Sequence, residues 1–176
     1  MKQFHSIKFL SPIGIIELTC RGDSIIRLTA EPVHQNNDTV DLKSVKTVCP
    51  VCDLAVSQIN EYFNGSRTSF DIPVQLNGTD LQLKVWNALM QIPYGKTVAY
   101  SDIAKAVGCK SVRAVATAIG KNPIPVIIPC HRVVRKNGVI GKFSLIGPEI
   151  KKFLLETENK TNIIILHKRN HCKCSL

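Results

Sequence analysis

The segment Val126-Ile127-Ile128-Pro129-Cys130-His131-Arg132-Val133-Val134 constrains this chain more than any other stretch. A polar Cys-His-Arg triplet is enclosed by apolar runs. The flanks draw the segment into a core, where a thiol, an imidazole and a guanidinium are costly to bury unless each finds a partner. The fold must therefore bring hydrogen-bonding groups to this segment from elsewhere. Read as an extended run, its successive side chains point to opposite faces. Direct contact between Cys130 and His131 is then not expected, and a bridging water or a turn is needed to couple them. The thiolate is the reactive form of cysteine, and neighbouring cationic or hydrogen-bonding groups lower its pKa. Nucleophilic chemistry at Cys130 is one reading, and an inert buried thiol is the other.

The length of 176 residues suits one ordinary domain or two small ones. A hydrophobic content of 44% is enough for a core and excludes wholesale disorder. No apolar run approaches the ~18–20 residues of a membrane span, and Met1 to Ser6 opens no secretory signal. The seven cysteines show no disulfide framework. An intracellular, reducing compartment is expected: cytoplasm for a bacterial or archaeal chain, nucleus for a eukaryotic one.

The net charge of +10 is concentrated. Residues 1–83 carry 7 basic and 9 acidic side chains, whereas residues 84–142 carry 10 basic side chains and a single acid, Asp102. Such a block suggests a polyanionic partner, nucleic acid first. Charge alone fits a solvated basic face equally well.

The first half reads as β-rich. Ile13–Cys20 and Ser24–Leu28 are apolar runs around the turn residues Arg21-Gly22-Asp23, which predicts a hairpin. Residues 31–44 read as a loop. A helix is expected from about Val51 to Phe63, and Phe70–Val74 reads as extended. The second half reads as helical. One helix is expected from Leu81 to Gln91, capped by Thr79 or Asp80, and further helices around Tyr100–Gly108 and Val112–Gly120. Ala104, Gly108 and the short helix that follows have helix-turn-helix spacing inside the basic block. Arg113 and Thr117 lie among small residues in the second of these helices, which suits close backbone approach to a minor groove better than base reading in the major groove. The same alanines would equally serve packing against another helix.

An ordered set of further residues accompanies the central segment: Val85-Trp86, Ile92-Pro93-Tyr94-Gly95-Lys96-Thr97, Tyr100 through Ala104, Arg113-Ala114-Val115, Asn122-Pro123, Leu154-Leu155 and Glu158. Together with Ile128-Pro129-Cys130-His131-Arg132-Val133 they resemble the O6-alkylguanine-DNA alkyltransferases, from Ile13 to Glu158. The resemblance implies an α+β fold. A small β-rich, ribonuclease-H-like domain (residues 1–76), carrying no chemistry, would precede a helical helix-turn-helix domain (residues 77–160) and a tail of unassigned role (residues 161–176). It also implies DNA repair by irreversible transfer of the alkyl group from O6-alkylguanine, and from O4-alkylthymine, in duplex DNA to Cys130. The protein would be a monomer using no cofactor. A lesion-binding module that does not repair is the alternative, since a related family has tryptophan at the position of Cys130. A helix-turn-helix transcriptional regulator is a third reading, weakened by the alanine-rich second helix.

By this resemblance Cys130 is the alkyl acceptor, His131 its base through a water, and Glu158 the holder of the other imidazole nitrogen. Asn122 would brace the segment, and Tyr100 would help turn the nucleotide and give its hydroxyl to the guanine. Arg113 would replace the extruded base. Ser101, Lys110, Ala114, Thr117, Arg132 and Lys136 would meet DNA with Arg113 and Tyr100. Val133, Phe143, Ser144 and Ile119 would line the substrate pocket. Trp86 reads as core. Where the family has glycines, this chain has Leu145 and Ile146, which are expected to narrow the pocket and exclude a large alkyl group. Some relatives hold a structural zinc in the first domain. Cys49-Pro50-Val51-Cys52 has ligand spacing but no second matching pair, unless His171, Cys172 and Cys174 complete a set, and no metal is expected.

Overall fold

The computed structural model describes residues 3–33, 49–141, 143, 145 and 147–171, with side chains to residue 160. Three antiparallel strands come first: β1 (Phe4–Ser11), β2 (Gly14–Arg21) and β3 (Ser24–Glu31). The predicted hairpin is β2–β3, joined at Gly22 with φ +59°. β1 was not foreseen, because His5, Ile7 and Phe9 alternate with polar residues too briefly to stand out. It pairs along its whole length with β2. Its inward positions share a face with the buried Ile16, Leu18 and Cys20 of β2. Helix α1 (Pro50–Phe63) packs on that face through Val51, Cys52, Ala55, Ile59 and Tyr62. The expected strand near Phe70–Val74 is only a bridge of Val74 to Ile25.

The second half is helical, as expected. Helix α2 (Asp80–Met90) starts on a capping box, in which Thr79 Oγ1 accepts the Gln82 amide and Gln82 Oε1 accepts the Thr79 amide. Strand β4 (Val98–Ala99) leads into α3 (Tyr100–Ala106). Gly108, at φ +68°, turns the chain toward α4 (Val112–Gly120), which Ser111 caps. Trp86 is core, as read: 2% exposed, it donates its indole N–H to the Ala118 carbonyl at 2.9 Å and ties α2 to α4. A 3₁₀ turn (Cys130–Arg132) runs into β5 (Val133–Val134), which pairs in parallel with β4. Helix α5 (Pro148–His171) follows. Lys151, Leu154 and Glu158 are all buried on it, and their spacing places them on one stripe. Among the described residues no helix is long and apolar enough to cross a membrane.

The halves interlock. The Leu28 amide of β3 donates to the Pro123 carbonyl at 2.9 Å, and the aromatic end of α1 reaches the foot of α5 through the Phe63–Phe153 ring contact.

Candidate active site

Cys130 does not lie in an extended run. Val126, a β-branched residue at φ +73°, turns the backbone sharply, and Pro129 leads into the 3₁₀ turn. Val126 pays a steric cost at positive φ of order 1–3 kcal/mol, tolerated because its surroundings hold it. The turn replaces the opposite-facing geometry expected of a strand. Cys130 is 2% exposed at the floor of a cavity of about 1030 Å³. Asn122 braces the approach: its Nδ2 donates to the Ile128 carbonyl at 2.8 Å and its Oδ1 accepts the Ile124 amide at 3.0 Å. Burial pushes the Cys130 thiol up to about 11, against a hydrogen bond from Asn122 and the charge of Lys151. At neutral pH the thiol keeps its proton, so its reaction needs a base.

His131 is completely buried, and its Nε2 lies 2.8 Å from Glu158 Oε1. Burial lowers its pKa, despite Glu158. Glu158 itself is held down at about 2 by its hydrogen bonds to His131 and Arg132, which overcome the cost of burial. An ionised carboxylate accepts only, so the neutral imidazole carries its proton on Nε2 and leaves a lone pair on Nδ1. Nδ1 is a buried nitrogen with no hydrogen-bond partner among the described residues. An open basic nitrogen beside a protonated thiol is the arrangement of a general base.

Glu158 is the hub of the site. Its Oε1 accepts from the Tyr62 hydroxyl at 2.8 Å and from Arg132 Nε and Nη2 at 3.1 and 3.0 Å. Its Oε2 accepts the Gly95 amide at 2.8 Å. A fully buried carboxylate is tolerable only with such a set of donors. Arg132 was expected on the DNA face, and this is corrected. It is 6% exposed, its Nη1 donates to the Ile92 carbonyl at 2.6 Å, and its guanidinium lies over the Tyr94 ring. The nearby carboxylate outcompetes solvent for it.

Three participants escaped the sequence reading. Tyr62 comes from the half of the chain expected to carry no chemistry, and the Gly95 amide is a backbone group without a sequence signal. Lys151 is 1% exposed, donates to the Val133 carbonyl at 2.6 Å and lies over the Tyr100 ring. A lysine on the apolar stripe of a helix was the available clue.

The cavity above Cys130 is lined by Ile119 and Phe143, expected in the pocket, by Tyr100, Ser101, Arg113, Thr117 and Lys136, expected as DNA contacts, and by Arg135 and Gly141. A Cβ on Gly141 would come within 2.9 Å of the Tyr100 hydroxyl, so glycine here leaves that hydroxyl its place. Lys110 is exposed in the turn between α3 and α4, and Ala114 is half-buried on α4. Neither lines the cavity, and nor does Val133. Val133 was expected in the pocket but is wholly buried, because β5 commits it to pairing with β4. Ser144 and Ile146 lie outside the described residues. Leu145 packs in the core, 9% exposed, and is not part of the cavity wall. The narrowing expected from it is corrected accordingly. Leu145→Ala is expected to cost about 2–4 kcal/mol of stability and to leave the rate ratio of O6-benzylguanine to O6-methylguanine unchanged. Thermal melts and inactivation kinetics check both, and a widened substrate range would contradict this placement.

Comparison with known proteins agrees with this geometry. Residues 6–76 match the family described as 6-O-methylguanine DNA methyltransferase, ribonuclease-like domain, and residues 80–160 match its DNA binding domain. The constitutive methylated-DNA–protein-cysteine methyltransferase of Bacillus subtilis is 40% identical over 84% of this chain and 91% of its own length. The Mycobacterium bovis protein of that name is 49% identical over 84% of this chain and 88% of its own. The Mycobacterium tuberculosis OGT, solved in complex with DNA, superposes with a TM-score of 0.72 at 37% identity, covering 90% of this chain and 93% of that one. With both halves matched and the cysteine, histidine and glutamate of the site in one connected cluster, the chain belongs to the 6-O-methylguanine DNA methyltransferase family.

Proposed function

We propose that this protein repairs alkylated DNA by moving the alkyl group of O6-alkylguanine onto Cys130, one lesion per molecule. The observation that carries this reading is the buried Cys130 thiol beneath an open cavity, next to a histidine whose other nitrogen is held by an ionised glutamate.

The Cys130 sulfur attacks the alkyl carbon. The new S–C bond forms as the C–O bond breaks, and its electron pair leaves with the guanine oxygen. The thiol proton passes to His131 Nδ1 through a water, and Glu158 stabilises the resulting imidazolium. The Tyr100 hydroxyl, raised in pKa by burial and by Cys130, donates toward the departing guanine. The guanine leaves as an anion and takes up one proton, from the Tyr100 hydroxyl. The proton released by the thiol restores that hydroxyl by way of water. The products are therefore unmodified guanine and an S-alkylcysteine, and no cofactor takes part. A thioether is a poor leaving group, so the protein is consumed. O4-alkylthymine offers the same C–O bond to the same sulfur.

DNA enters over α3 and α4. Arg113 is exposed at the cavity mouth, and Arg135 and Lys136 stand on the rim, so phosphate contacts would carry most of the affinity. The test is intact mass after mixing with a duplex holding one O6-methylguanine. A gain of one methyl mapped to Cys130 supports the proposal, whereas tight binding without mass gain selects the lesion-binding module.

Arg113→Ala is expected to slow repair in duplex DNA by about 10-fold or more while barely changing transfer from free O6-benzylguanine, because only the duplex demands nucleotide extrusion at a cost of a few kcal/mol. Parallel single-turnover rates on the two substrates check this. Equal losses would assign Arg113 to the chemistry or the fold.

A further inference from the structure

Helix α1 ends its buried stripe on a polar group. Val51, Cys52, Ala55 and Ile59 precede Tyr62 on that stripe, and Tyr62, in the last turn, is wholly buried. Its ring touches those of Phe63, Phe70 and Tyr94, with centroids at 5.5, 5.4 and 5.9 Å. A ring packed on several sides has little freedom, so its hydroxyl is delivered to one place. That place is the pairing of Glu158 with His131. The hydroxyl donates to Glu158 Oε1 at 2.8 Å, and its oxygen lies 3.5 Å from His131 Nε2. We propose that Tyr62 is a positioning residue of the transfer reaction, restraining Glu158 so that His131 Nδ1 stays open toward Cys130. This rests on the reading of His131 as the base that serves Cys130.

The tyrosine proton has one destination. Burial and the Glu158 charge push the hydroxyl well above its ordinary pKa, so it keeps its proton at neutral pH. The carboxylate is charged and closer than the imidazole, so the proton goes to Oε1. At 3.5 Å the imidazole contact is too long for a good hydrogen bond.

Oε1 is therefore shared. It faces His131 Nε2, Tyr62 and two nitrogens of Arg132. Each proton donated to it draws on the same lone pairs and weakens its pull on the others. That pull has two consequences for His131. It fixes the proton on Nε2, which frees Nδ1, but it also favours a second proton on the ring, which would close Nδ1. The charged groups around the ring divide accordingly. Burial holds its pKa down, and Arg132 in its own turn and Lys151 of α5 act in the same direction, whereas Glu158 of α5 opposes them. Cys130, next to it in the turn, is a protonated thiol. Tyr62 comes from α1, and Tyr94, in the segment after α2, faces the tyrosine. Tyr62 thus tempers Glu158 without adding a charge. Removing its hydroxyl leaves the carboxylate freer to stabilise the imidazolium, and the base is lost at a higher pH.

The test measures alkylation of Cys130 by free O6-benzylguanine, which needs no nucleotide extrusion, across about pH 5–8, where histidine titrates. In Tyr62→Phe the acid limb is expected to move to higher pH. The rate at the acid end, relative to the plateau, should fall roughly threefold, within the worth of one hydrogen bond. NMR titration of the His131 ring should move in the same direction. Tyr62→3-fluorotyrosine keeps the shape and donates more strongly, so it should move limb and titration the other way. Phe70→Leu removes a ring contact with Tyr62 and no hydrogen bond of Glu158. It should lower the melting temperature and leave the limb in place. An unmoved limb and ring titration in the Tyr62 variants overturn the proposal, as does an equal shift in Phe70→Leu. A native chain that transfers nothing overturns the reading of Cys130 instead. The ring titration then decides on Tyr62 alone, a shift supporting its hold on His131 and no shift refuting it.

Discussion

Glu158→Ala is expected to lose about 3–5 kcal/mol of stability, because it strips the partner from a buried guanidinium and a buried imidazole. Arg132 would keep only the Ile92 carbonyl and the Tyr94 ring. Tyr62 and the Gly95 amide would lose their acceptor as well. Glu158→Gln separates the fold from the chemistry. It keeps the shape and one acceptor oxygen, but no longer holds the imidazole proton on Nε2 with a charge. Transfer by this variant is expected to fall by ~10²-fold or more, the usual worth of a general base. Chemical denaturation and single-turnover repair rates measure the two effects. A Gln variant with full transfer rate would remove Glu158 from the reaction.

The same hub sets an acid limit. The Glu158 pKa is depressed to about 2 in the folded protein, against a starting value of 4.5. Its stabilisation is therefore complete above the unfolded pKa and is lost as pH falls from about 4.5 toward 2. The shift corresponds to about 3 kcal/mol. His131, with a lowered pKa, acts in the same direction from a higher starting point. Below about 6.5 the unfolded chain takes up a proton that the buried ring resists. Melting temperature should accordingly decline between pH 6.5 and 4.5 and fall further below it. A flat profile across that range would contradict both assignments.

Cys130→Ser is expected to abolish methyl transfer while leaving DNA affinity within about twofold, since phosphate contacts dominate affinity and the basic rim is untouched. A serine hydroxyl at this depth is a far weaker nucleophile than sulfur. The native chain should stop after one methyl per molecule. Repair of several lesions per chain would show that something removes the alkyl group from sulfur, a step for which the site offers no second nucleophile among the described residues. Fluorescence anisotropy and mass spectrometry read the two halves of this prediction.

Much of this molecule is written locally. The cap at Thr79 and the turn at Gly22 are short-range effects that periodicity and turn chemistry report directly. The motif around Cys130 announced a buried polar triplet in need of partners, and resemblance named two of them, Asn122 and Glu158. The identity of the remaining partners was decided only by tertiary structure. Tyr62 lies 96 residues from Glu158 in the chain, and the Gly95 amide 63 residues away. Helical and strand periods tell which face a residue occupies, not what lies opposite it. Arg132 follows His131 directly, and a basic residue in a basic block reads as a DNA contact. It turns inward because the 3₁₀ turn aims it at a carboxylate on α5. Leu145 likewise goes to the core, where burying its side chain is favourable. Cys20 becomes a neighbour of Cys49 and Cys52 because α1 docks on the sheet. Those are long-range closures, and their free energy comes from the whole core rather than from any segment's own sequence.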